Sequence, residues 1–85
     1  MLKNEEPGIA VWPNPATDHI LIENNDDSNL FTKATIFNLT GKVMLERKLA
    51  ANSNEISINE LSVGTYIVKI ENSKGTFQTQ KIVKQ

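Results

Sequence analysis

Few residues in this chain could carry covalent chemistry. Among 85 residues there is one histidine, His19, and no cysteine. Disulfides, thiolate metal sites, iron–sulfur clusters and a cysteine nucleophile are therefore excluded. A hydroxyl nucleophile would need His19 as its base and an acid to orient the ring. Asp18 is the adjacent acid, but neighbouring side chains on an extended strand project to opposite faces. The pair is thus expected not to meet, and His19 reads as a solvated surface residue. Glycoside hydrolysis needs two carboxylates facing each other across a cleft, whereas the acids here are scattered along a chain too short to form one. Asp26, Asp27 and Asn29 gather oxygen atoms in one loop. They lack the alternating ligands, turn glycine and distal bidentate acid of a calcium loop. Asn38-Leu39-Thr40 matches the N-glycosylation triplet, although a turn role accounts for Asn38 better. No glycine-rich phosphate cradle precedes a helix. The expectation is a chain without catalytic residues, metal or cofactor.

The elements that carry these residues are strands. Apolar residues recur with a period of two, in seven short runs divided by Asn, Gly, Ser and Pro. The runs are Gly8–Trp12, His19–Asn24, Lys33–Asn38, Lys42–Leu49, Glu55–Ile58, Thr65–Glu71 and Thr76–Val83. The first should stop at Pro13-Asn14-Pro15, because proline has no amide hydrogen for a ladder. In the fourth, Val43, Leu45 and Leu49 share one face. In the seventh the phase is open, since Phe77 and Val83 oppose Ile82. Asn38-Leu39-Thr40-Gly41 and Asn72-Ser73-Lys74-Gly75 repeat one pattern, Asn-x-x-Gly. Asn can bond its own backbone at the first turn position, and Gly accepts a left-handed conformation at the fourth. Each is expected to close a hairpin. Seven strands in this length suit an all-β, seven-stranded immunoglobulin-like β-sandwich, with a small open barrel as the alternative.

Composition sets the remaining bounds. Hydrophobic residues make up 39% and charged residues 22%, a globular balance rather than a disordered one. No apolar run reaches the roughly 18 residues of a membrane-spanning helix. The net charge of −1 offers no basic footprint for nucleic acid. Charge is nevertheless uneven: residues 1–32 carry a net −5, residues 33–68 a net +1 and residues 69–85 a net +3. The opening residues lack the apolar stretch of a secretory signal. Residues 1–8 read as a structureless linker and residues 9–85 as the domain, of a chain that is either a cytoplasmic protein or a piece cut from a longer one. Trp12, flanked by Pro13, is the aromatic expected to be partly exposed; it is the one candidate for a sugar platform.

Four segments in order resemble a known family. Val11-Trp12-Pro13-Asn14-Pro15-Ala16 is similar to the V-Y-P-N-P opening of the C-terminal sorting domain, type A, of type IX secretion (Por secretion) cargo proteins. Ala34–Val43, with Gly41-Lys42 opening the returning strand, resembles its central strand–turn–strand. Leu61–Ile70 resembles its L-x-x-G-x-Y strand through Gly64 and Tyr66, and Lys81-Ile82-Val83-Lys84-Gln85 resembles its K-[LI]-V-K ending. Trp12 replaces the commoner tyrosine, and Asn38 a common aspartate. The resemblance implies a secretion and sorting signal carried behind a cargo protein. It implies export by way of the periplasm to the cell surface or medium, and recognition by the type IX translocon and an outer-membrane shuttle protein. It further implies that a sortase-like cysteine peptidase cuts in or before residues 1–8. Under this reading Pro13, Asn14, Pro15, Gly41, Lys42, Gly64 and Tyr66 are motif positions with structural roles. Lys81, Ile82, Val83, Lys84 and Gln85 are the partner-binding segment, captured by strand pairing along an open edge. Deleting them should leave a folded domain that no longer directs export. The same open edge would permit dimers. The alternative is an immunoglobulin-like accessory or carbohydrate-binding domain of an exported enzyme.

Overall fold

A computed structural model describes residues 2–6, 9–24, 30–50 and 53–85. The Asp26–Asn29 loop lies outside them. Eight strands are present: β1 Leu2–Glu6, β2 Ile9–Asn14, β3 His19–Asn24, β4 Lys33–Asn38, β5 Val43–Lys48, β6 Ser53–Ser57, β7 Gly64–Glu71 and β8 Phe77–Lys84. They form two four-stranded antiparallel sheets, β1-β2-β3-β6 and β5-β4-β7-β8. The chain is an all-β sandwich. The seven strands expected from the period-two runs are β2 to β8. Residues 2–6, expected to be structureless, add β1 by pairing with β2.

Burial follows the alternation. Ile9 and Val11 on β2, Ile20 and Ile22 on β3, Ala34 and Ile36 on β4, and Val68 and Ile70 on β7 are all 1% exposed or less. They meet between the sheets, where each buried aliphatic side chain contributes about 1.5–3 kcal/mol by transfer from water. Ile58 and Leu61, from the segment between β6 and β7, join this core. Tyr66 Oη donates to the Ser62 carbonyl at 2.6 Å, the tyrosine-corner contact of immunoglobulin-type sandwiches. With the sheet order, this is compatible with the immunoglobulin-like expectation.

Both Asn-x-x-Gly turns form as expected. Asn38 Oδ1 accepts from the Thr40 and Lys42 amides, and Asn72 Oδ1 from the Lys74 and Thr76 amides, at 2.9–3.0 Å. Gly41 and Gly75 hold φ of +92° and +88°, a region costly for any residue with a Cβ. Two expectations need correcting. Toward β3 the ladder of β2 ends at Trp12, but toward β1 the strand continues to Asn14, which pairs with Leu2. The register shifts there, and Pro13 falls inside the irregularity, where its missing donor breaks no regular pair. Val43 is half exposed rather than buried, because a bulge opposite Ile36–Phe37 shifts its phase away from that of Leu45.

Candidate functional site

The seventh run, of undecided phase, settles as β8. Gln78, Gln80, Ile82 and Lys84 stand opposite Ile70, Val68, Tyr66 and Gly64, on the parity that faces the core. Ile82 is fully buried and Lys84 is 9% exposed. Phe77, Thr79, Lys81 and Val83 therefore face outward, with Lys81 exposed and Val83 half-buried. β8 is the last strand of its sheet, so one side of its backbone has no strand partner among the described residues.

Part of that side is closed by a segment from the other end of the chain. Asn14 Oδ1 accepts the Val83 amide at 2.9 Å, and Asn14 Nδ2 donates to the Lys81 carbonyl at 3.1 Å. The Ala16 amide donates to the Val83 carbonyl at 2.8 Å, and the Gln85 amide to the Ala16 carbonyl at 2.7 Å. Ala16 and Lys84 thereby form an isolated parallel bridge. The Asn14 side chain serves the β8 edge as a strand backbone would, with one donor and one acceptor. Pro13 and Pro15 flank it, and both of their peptide bonds are cis. Pro13-Asn14-Pro15 and Lys81–Gln85, far apart in sequence, are thus brought into contact.

This geometry changes what each residue of the terminal segment can do. Ile82 belongs to the core, and Val83 is held at both its amide and its carbonyl. Deleting Lys81–Gln85 removes a fully buried side chain, so a folded truncation is no longer the expected outcome. Lys81 and Gln85 are the two residues of the segment with exposed side chains. Gly41 and Lys42 lie in the β4–β5 hairpin, where the Lys42 amide is part of the Asn38 turn. Gly64 opens β7, and a Cβ placed there would meet the Tyr66 ring at 3.9 Å, an ordinary contact.

The structure brings His19 and Asp18 together, against expectation. Asp18 sits in the bend before β3 rather than on it, so strand alternation does not separate the pair. His19 Nδ1 lies 2.7 Å from Asp18 Oδ1, and Nε2 lies 3.9 Å from Glu55 Oε2. The His19 hydrogen bond lowers the Asp18 carboxyl below its ordinary value. The ring therefore sits on an open surface with Nδ1 on Asp18 and Nε2 near Glu55. Among the described residues no group of His, Asp and Glu is arranged to hold a metal. Trp12 is half-buried, and its Nε1 donates to Glu23 at 2.8 Å. This fixes the indole against its own sheet rather than presenting it as a free platform.

Charge divides between the sheets. The strands of the first carry Lys3 against Glu5, Glu6, Glu23 and Glu55, a net −3. Those of the second carry Lys33, Arg47, Lys48, Lys69, Lys81 and Lys84 against Glu46 and Glu71, a net +4. The terminal segment lies on the basic side.

A family model described as a secretion system C-terminal sorting domain matches residues 10–85. No curated protein and no solved structure matches the chain significantly.

Proposed function

Since the chain belongs to the type IX secretion C-terminal sorting domain family, we propose that its basic edge is the address read by the export machinery. Membership makes the chain a sorting signal for export across the outer membrane to the cell surface or medium. The finer reading is ours. The translocon, or a shuttle protein serving it, engages the composite edge made by Pro13-Asn14-Pro15 and Lys81–Gln85. Asn14 fixes the backbone of β8, and Lys81 and Gln85 supply the side chains that are read. The route passes through the periplasm. Residues 1–8 form the junction with the cargo, and a sortase-like cysteine peptidase cuts in or before it. Residues 9–85 are the sorting domain, and catalysis is no part of its role.

The observation that carries this reading is the four-bond clamp joining the first and last family motifs into one surface. Two motifs with separate structural duties would not need to touch. The test fuses residues 1–85 behind a periplasmic fluorescent reporter in a bacterium with a type IX system. Reporter should reach the surface or medium. The double substitution Lys81→Ala with Gln85→Ala should hold it in the periplasm while the melting temperature stays near that of the parent. A parent fusion that stays in the periplasm would refute the sorting role.

A further inference from the structure

A second surface adjoins this edge, on the outer face of the basic sheet. Phe37 of β4 pairs directly with Ile67 of β7, and on its other side with Val43 of β5. Ile67 pairs in turn with Lys81 of β8, and Thr65 with Val83 one row further. Phe37, Ile67 and Val83 are half-buried, and Val43 is 51% exposed. The outward face of a two-sheet sandwich is ordinarily polar. Here an apolar row crosses three neighbouring strands and ends at the terminal strand.

We propose that this row is a docking face for a protein of the export machinery, one presenting an apolar patch rimmed by carboxylates. The inference rests on the sorting role proposed above and gives that partner its chemistry. Charge selects the occupant. Lys81 ends the row, and Lys69 lies on the same face in the next row, with its Nζ 4.7 Å from the Phe77 ring centre. The carboxylates of this face, Glu46 and Glu71, are both engaged by Lys33, at 3.7 and 3.4 Å. The rim is left cationic, which an acidic partner complements. A second copy docking through the same face would set these lysines against their own counterparts, an unfavourable arrangement. An anionic bilayer would satisfy the same charge but offers no fixed apolar patch to match a row of this width, whereas a folded protein surface does.

The experiment is the reporter fusion with Phe37→Thr and Ile67→Thr, singly and together. Threonine keeps the strand preference and shortens only outward side chains. Leu21→Thr is the control, on the outer face of the acidic sheet opposite Trp12. Each of the two variants should lower exported signal about tenfold or more, the loss typical of an interface anchor. The melting temperature should change little, and the control should be exported like the parent. Export of both variants at the parent level overturns the docking face and leaves the sorting role standing. A parent fusion that is not exported removes the sorting role and this inference with it. Two further results would overturn the protein partner. One is binding of the purified chain to anionic phosphatidylglycerol vesicles that Phe37→Thr abolishes. The other is a concentration-dependent dimer abolished by the same change.

Discussion

Across β2 and β3 the side chains turned into the core are Ile9, Val11, Ile20 and Ile22, all apolar. On β8, at the far edge of the other sheet, the same positions are Gln78, Gln80, Ile82 and Lys84. In the first sheet these two strands meet the core through aliphatic side chains. The other ends in a strand with a single aliphatic anchor, supported by its ladder to β7 and by the Asn14 clamp. Gln80 Nε2 is buried without a hydrogen-bond partner among the described residues, and such a group is destabilising. The contrast teaches that β8 is not shaped for maximal packing. Its polar inward positions keep it dependent on the segment that closes its edge.

The largest expected effect tests whether the two sheets share one core. Ile20 and Ile82 are both fully buried, so alanine at either should cost about 2–4 kcal/mol by removing apolar volume. Urea unfolding of the two variants would reveal a difference. If Ile82→Ala cost much less, β8 would be a strand that merely rests on the sandwich. Next comes Asn14→Ala, which strands the Val83 amide and should cost about 1–3 kcal/mol. Hydrogen exchange at Val83 should accelerate beyond that at Ile20. Equal acceleration at both sites would mean that the clamp stabilises the whole fold rather than the edge.

Gln80→Leu should work in the opposite direction. It removes the unpaired donor and should add about 1 kcal/mol, read as a raised denaturation midpoint. A loss of stability would show that the amide has a partner in solution. The smallest effect belongs to the acidic sheet. The folded Asp18 carboxyl titrates below its ordinary value of 3.8 because of His19. Its stabilising contribution is therefore complete above that value and is lost as pH falls through the lower folded one. His19→Ala should return the Asp18 midpoint to the ordinary range in an NMR titration. An unchanged midpoint would assign the shift to the backbone around Asp18 instead.

Much of this architecture was legible in the sequence. The period of two set the strands, and the paired Asn-x-x-Gly patterns set the hairpins, because both are local physics. What escaped was either non-local or out of phase. No local pattern links Asn14 to Val83, 69 positions away, since an asparagine side chain imitating a strand leaves no periodic mark. β1 escaped because Leu-Lys-Asn-Glu-Glu has no apolar alternation; its strand exists through backbone pairing with β2. Val43 escaped because a bulge reverses parity without altering composition. His19 and Asp18 met because the strand begins one residue later than an alternation argument assumes. In the terminal segment, the K-[LI]-V-K resemblance identified a stretch of interest, but not which side chains point inward.

The clamp also sets how load would pass through the domain. Leu2 pairs with Asn14, and Asn14 holds Val83, so residue 2 and the terminal strand lie at the same end of the sandwich. Under the sorting role proposed above, tension between residue 2 and the end of β8 would run through Asn14 and the few bonds around it, with most of both sheets outside the line of force. Such a joint would yield first under traction, with the hydrophobic core still intact.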